Sequence, residues 1–242
     1  MSKSIIANTK QSIRRIARKL LGRKDPESFY KSENYLDNYV AHTNWRVAKN
    51  PKEAIGGMWE EIGTLQFDFL RGRGLAPEHK MLDLGCGALR GGRRFIRYLD
   101  KSNYTGIDIS PACIEAANKL VIDEKLTDKA PRLILNETKS MAFDEFSGQT
   151  FDYIMAQSVF THLPQEVISA CFENIGKVMH ANSAFYFTYW ASDAYRQTTL
   201  KDFAYPWAFF EELAAKTGFR AAELSNDYPH PRNQKIGCIK KA

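Results

Sequence analysis

The sequence predicts a doubly wound α/β fold, with a seven-stranded, mostly parallel sheet that includes one antiparallel strand and with an N-terminal helical extension. Three observations predict it. From Gly74 onward, short apolar runs alternate with stretches of helical periodicity. The first apolar run ends in closely spaced glycines, Gly85 and Gly87. The last two runs, residues 221–224 and 235–239, are joined by one short loop, which requires one of them to run antiparallel.

The elements follow in order. In residues 5–21, Ile13, Ile16, Ala17, Leu20 and Leu21 share one helical face, while Arg14, Arg15, Arg18 and Lys19 fall on the other. This basic amphipathic helix, within residues 1–24, ends near Gly22 and Pro26. Residues 25–54 are polar with scattered aromatics and read as a linker or lid. Residues 55–242 form the main domain. It begins with a helix over 57–71, followed by a strand over 80–84, a helix over 93–99 and a strand over 104–108. Ser110 and Pro111 then supply an N-cap and a first-turn proline for the next helix. Strands at 132–135 and 151–156, a helix after Pro164, a strand at 184–189 and a helix over 206–216 lead to the terminal strand pair.

Composition narrows the function classes. Of 242 residues, 44% are hydrophobic and 26% charged, which suits a globular domain that builds its own core. The four cysteines are far apart, without metal-ligand spacing, so neither a disulfide framework nor a metal site is expected. With no apolar run of transmembrane length and no secretory signal pattern, the expectation is a cytoplasmic protein. The net charge of +6 belongs to the first 24 residues, which hold eight basic side chains and no acid. The remainder is slightly acidic, a poor match for a broad nucleic-acid-binding face. A basic amphipathic helix suits the anionic inner face of a membrane, as a peripheral contact; it would equally suit a protein partner or solvent.

The chemistry concentrates at two strand ends. Glycines at 85 and 87 permit a tight turn and close backbone approach to a ligand, and the following helix start offers free N–H groups. About twenty residues on, the next strand ends in Asp108, a carboxylate placed to accept hydrogen bonds from a ribose diol. A dinucleotide fingerprint needs a small residue where Arg90 stands, and Asp83 would repel a pyrophosphate. An acid there suits an ammonium group. The pair favours a nucleoside that carries an amino acid.

The segment MLDLGCG (81–87) resembles the first motif of class I S-adenosylmethionine-dependent methyltransferases, and GIDIS (106–110) resembles their ribose-binding motif. The resemblance covers roughly residues 55–240 and implies a Rossmann-like fold with S-adenosylmethionine as cofactor. It further implies that Asp83, Gly85, Cys86 and Gly87 form the cofactor loop, that Asp108 holds the ribose hydroxyls and that Ile109 packs on adenine. FDYIMAQS (151–158) resembles the fourth-strand motif, which places Gln157 near the methionine end. Leu89 departs from the usual third small residue. For the adenine amino group, Asn136 and Glu137 both stand as candidates. Further segments around Trp59, Arg90, His162 and His230 are similar to a group of bacterial methyltransferases of mostly undefined substrate, a resemblance that points loosely to small-molecule or cell-surface saccharide acceptors.

The acceptor side rests on fewer signals. Methyl transfer from a sulfonium mainly requires alignment, and an oxygen acceptor also benefits from a base. His162 follows the fourth strand, as that base or as a cap for the helix at Pro164. Arg232 suits an anionic acceptor, and His230 shares its turn. Tyr189 ends the fifth strand as a pocket wall or as core. Trp59 and Gln66 lie one face apart on their helix, positioned to cover the cofactor. Arg90 is a candidate for the methionine carboxylate. The expected reaction is methyl transfer to a small-molecule or glycan-like acceptor at oxygen. The rivals are an RNA methyltransferase using the basic helix as an arm, and a non-catalytic cofactor-binding module. No Asn/Asp-Pro-Pro-aromatic motif follows the fourth strand, which counts against the first.

Overall fold

The computed structural model describes residues 25–242, and the basic amphipathic segment read within 1–24 lies outside the described residues. Two compact units are present. One ends at His42 and the other is Thr43–Ala242.

In the first unit, Asp25 caps a short 3-10 turn, Pro26–Phe29, by accepting the Glu27 N–H. The Phe29 ring stacks on His42 with centroids 5.3 Å apart. Helix α1, Tyr35–Val47, carries the unit boundary. The region read as a linker or lid thus contains regular helical structure.

The second unit contains α2 (Pro51–Ala54), α3 (Trp59–Gly72), α4 (Gly92–Tyr98), α5 (Pro111–Asp123), α6 (Gln165–Asn174) and α7 (Trp207–Lys216). Its strands are β1 (Met81–Leu84), β2 (Tyr104–Asp108), β3 (Arg132–Leu135), β4 (Phe151–Ala156), β5 (Met179–Ala191), β6 (Arg196–Gln197), β7 (Phe203–Tyr205), β8 (Phe219–Glu223) and β9 (Lys235–Lys241). The main sheet runs β3-β2-β1-β4-β5, all parallel, and continues through β9 to β8. β9 is antiparallel to both neighbours, so it is the single reversed strand of a seven-stranded sheet, as the sequence predicts. The far end of β5 also carries β7 in parallel, and β6 pairs antiparallel with β7. This two-strand extension has no counterpart in the sequence reading.

The order reverses between β1 and β4, which puts the ligand crevice at the carboxyl ends of β1, β2 and β4. Met81, Leu82, Asp83 and Leu84 are all buried, as a central parallel strand requires. Ser110 caps α5 by accepting the Cys113 N–H at 3.1 Å, and Pro111 opens that helix. On the other side of β5, Phe160, Phe172, Phe185, Phe187, Tyr189, Tyr205 and Phe210 form an aromatic core, each essentially inaccessible. Phe210 of α7 sits at its centre, with ring centroids 4.8 Å from Tyr189 and 4.9 Å from Phe187.

Candidate active site

β1 runs into a loop of left-handed residues: Gly85 (φ 73), Gly87 (φ 55) and Leu89 (φ 67). A Cβ on Gly85 would lie 2.5 Å from Val159 Cγ2, so only glycine fits that wall of the loop. Leu89, where the motif expects a small residue, is fully buried. The smallness moves instead to Gly91 and Gly92. A Cβ on Gly91 would lie 2.4 Å from Gln66 Oε1, and one on Gly92 would lie 2.3 Å from the Tyr104 hydroxyl. Close packing of helix on sheet thus survives Arg90 because the two residues after it lack side chains.

Asp108 is partly exposed at the end of β2. Its Oδ2 accepts the Gly87 N–H at 2.9 Å and its Oδ1 accepts the Ser110 N–H at 2.8 Å. Burial raises its pKa against the lowering effect of these bonds. A carboxylate offers about four acceptor positions, so capacity remains for two ribose hydroxyls. Ile109 follows it, partly exposed. Asn136 is buried in the turn after β3, its Nδ2 donating to Ser140 O, while Glu137 is exposed.

Asp83 is buried and accepts the Tyr104 hydroxyl at 2.7 Å. Burial pushes it up to about 6, although that bond pulls the other way. Cys86 is buried against Gly106, and burial raises its thiol well above the ordinary range, so it packs as a neutral group.

Arg90 is neither on the surface nor paired with a carboxylate. It is 6% exposed, and its Nη1 donates to Ile55 O and Gly57 O, each at 3.1 Å. Its Nε is buried without a partner. Burial draws the guanidinium down to about 10. A buried donor with no acceptor costs about 1–3 kcal/mol unless something supplies one.

Gln157, at the end of β4, centres a buried polar network. Its Oε1 accepts the Tyr228 hydroxyl at 2.5 Å, and its amide lies 3.3 Å from both His230 Nε2 and Gln234 Oε1. Gln234 Oε1 also accepts the hydroxyls of Thr188 at 2.8 Å and Ser158 at 3.0 Å. His230 Nδ1 accepts the Arg232 N–H at 3.2 Å, which requires a neutral ring at that nitrogen. Burial, with Arg90 and Arg232 nearby, draws His230 down to about 4. Thr188, Tyr228 and Gln234 were not singled out from sequence. The period-two alternation of β5 would have separated Thr188 from its phenylalanine neighbours.

His162 ends a 3-10 turn after β4, with Nδ1 at 2.9 Å from both Lys201 O and Asp202 Oδ1. Against the upward push of burial, hydrogen bonds from His162 and Thr199 hold Asp202 at about 2. Two acceptors around Nδ1 keep the proton there and make Nε2 the basic nitrogen. Tyr189 sits elsewhere. It is 1% exposed, packed among the rings of α7, with its hydroxyl on Glu223 at 2.9 Å. Trp59 is partly exposed at the start of α3, with the Lys52 ammonium 5.2 Å and the Arg93 guanidinium 5.7 Å from its ring centroid. Gln66 is buried against Gly91.

Helix α3 crosses the loop closely enough that a Cβ on Gly63 would lie 2.6 Å from the Arg90 carbonyl oxygen. Gly63→Ala should therefore destabilise the protein by about 2 kcal/mol, overpacking outweighing the helix propensity it gains. Urea unfolding measures this, and a neutral result would show that the crossing relaxes freely.

S-adenosylmethionine fits these residues. Asp108 retains acceptor capacity for the ribose hydroxyls beside the glycine loop. The comparisons with known proteins agree. A sequence model described as a methyltransferase domain matches residues 82–185. An uncharacterised protein of Rickettsia prowazekii is 29% identical over 110 residues, 46% of this chain. The match spans 42% of that relative's own length. Magnesium protoporphyrin IX methyltransferase of Synechocystis, solved with bound S-adenosylmethionine, is similar in structure with a TM-score of 0.63. The identity is 14%, over 88% of this chain and 99% of that one. A TehB-like S-adenosylmethionine-dependent methyltransferase of Corynebacterium glutamicum gives a TM-score of 0.58 and 18% identity, over 84% of this chain and 99% of that one. The chain has the class I S-adenosylmethionine-dependent methyltransferase fold, and residues 82–185 match the methyltransferase-domain model within it.

Proposed function

We propose that this chain transfers a methyl group from S-adenosylmethionine to an oxygen of a small-molecule or glycan-like acceptor. The observation that carries the reading is the Asp108 carboxylate, fixed by Gly87 and Ser110 at the switch point with acceptor capacity left for a ribose diol. The cofactor supplies an activated methyl on a sulfonium. The chain's own residues then have three tasks. Asp108 and the glycine loop hold the nucleoside. Asp83 faces the ammonium of the amino-acid end. His162, oriented through Nδ1 by Asp202, takes the acceptor's proton at Nε2.

That the similar Synechocystis enzyme is a methyltransferase of magnesium protoporphyrin IX supports the small-molecule class. The near-neutral body supports it too, since a nucleic acid would call for a broad basic face. Among the described residues no helix is long and apolar enough to cross a membrane. A membrane-surface role for residues 1–24 would show as binding to anionic vesicles that is lost on deleting that segment.

Calorimetric titration with S-adenosylhomocysteine tests the central assignment. Wild type should bind one molecule per chain, and Asp108→Ala should bind at least tenfold more weakly, the loss of a charge-assisted contact of about 1.5–3 kcal/mol. No binding by wild type, or equal binding by both proteins, would overturn the reading.

A further inference from the structure

We propose that Arg90 and Arg232 together form an oxyanion site that receives a carboxylate or phosphate group of the methyl acceptor, which makes the acceptor an anion. The inference rests on the reading of this site as a methyl-transfer centre.

Two guanidinium groups meet here although they arrive from opposite ends of the domain. Arg90 follows β1, and Arg232 lies in the loop between β8 and β9. A Cβ on Gly56 would lie 3.1 Å from Arg232 Nη1 and 3.5 Å from Arg90 Nη1, so both cations press on the space that glycine leaves open. Their acceptors are backbone carbonyls: Ile55 O and Gly57 O for Arg90, Gly56 O for Arg232. Among the described residues neither forms an ion pair. Like charges this close repel, and neutral carbonyls offset that repulsion poorly. The Arg90 Nε adds a buried donor, in a side chain 6% exposed, that has no acceptor at all. His230, also buried beside them, carries no charge to offset theirs. Two guanidinium forks around one point match the geometry of a carboxylate or phosphate.

The cofactor does not supply this charge. Its sulfonium and ammonium outweigh its one carboxylate, so it brings a net positive charge to a site that already holds two arginines. Asp83 is the acid that acts on Arg90, and burial favours its neutral form. Arg232 also stands on the β9 side of the crevice, away from β2 and its ribose-binding end. The remaining participant is the acceptor.

The carbonyls of residues 55–57 act as placeholders. Gly56 (φ 102), Gly57 (φ 61) and Met58 (φ 47) are three successive left-handed residues, so this segment can exchange conformations with little steric cost at its two glycines. An arriving oxyanion takes over the guanidinium donors that those carbonyls now occupy.

The test uses inorganic phosphate as probe, at constant ionic strength set with chloride, on the full chain loaded with S-adenosylhomocysteine. The readout is the Arg90 Nε–H resonance in a 15N spectrum. Phosphate should shift it saturably in wild type. Arg232→Gln, a change at an exposed side chain, should weaken phosphate at least tenfold while changing S-adenosylhomocysteine affinity less than threefold. The inference is overturned if phosphate leaves the resonance unmoved, or if Arg232→Gln binds phosphate as wild type does. It is also overturned if phosphate displaces S-adenosylhomocysteine and the substitution weakens both equally, since the anion would then be the cofactor's own carboxylate. Failure of S-adenosylhomocysteine to bind wild type would instead remove the methyl-transfer reading on which the inference rests.

Discussion

Phe210→Ala is expected to lower the unfolding free energy by about 3–5 kcal/mol, the range for truncating a fully buried aromatic ring. Phe210 is 0% exposed and lies where α7 meets β5. Its ring centroid is within 5.9 Å of those of Phe187, Tyr189, Tyr205, Trp207 and Phe209. These rings come from β5, β7 and α7, so no single neighbour can move in to fill the space without disturbing another element. Urea unfolding by circular dichroism measures the loss as a shift in midpoint at constant slope. Because the cluster touches neither Asp108 nor the glycine loop, S-adenosylhomocysteine affinity of the folded fraction should stay within twofold. A loss below about 1 kcal/mol would show that the cluster repacks around the missing ring.

The second large effect is a pH dependence set by Asp83. Its folded pKa of about 6 stands above the 3.8 of an ordinary aspartate. The folded state therefore holds a proton more tightly than the unfolded chain. That favours folding fully below about pH 4 and is lost as the pH rises through 6. Relative to Asp83→Asn, which keeps the side chain neutral throughout, wild type should lose on the order of 3 kcal/mol of stability between pH 4 and pH 6 and then level off. Parallel urea curves of the two proteins at half-unit intervals give the difference. A flat difference would show that Asp83 is ionised at both ends of the window. Where Asp83 meets the cofactor's ammonium, the same proton is expelled on binding. S-adenosylhomocysteine should then bind more tightly at pH 7.5 than at pH 5.5.

The sheet was legible wherever burial and sequence pattern coincide. β2, β3 and β4 have the bounds that their apolar runs suggest, because each ends at a polar or turn residue. β5 runs well past the predicted 184–189. Its first residues include the polar His180 and Asn182, which break the apolar run, yet Phe151 of β4 still pairs with Met179. β6 and β7 have two and three residues, too few to show a period. Around the candidate site, the turn at Gly85 and Gly87 was readable because its left-handed backbone favours glycine. Arg90 was not. Its partners are main-chain carbonyls 33 and 35 residues away, which leave no trace in side-chain identity. Tyr189 was placed by position at a strand end. The alternation of β5 instead puts it on the face of Phe185 and Phe187, under α7.

All four thiols, Cys86, Cys113, Cys171 and Cys238, are free and buried. The chain thus carries four reporters of its own breathing, since a thiol reagent reacts only when the fold opens around it. Cys86 lies in the glycine loop, and Cys113 packs with Val47 and Ala54. Cys171 sits on the inner face of α6. Bound cofactor should slow labelling of the first two by closing local openings, while Cys171 follows global unfolding alone. The ratio of those labelling rates would measure how tightly the ligand crevice is shut in a folded molecule, without any added probe.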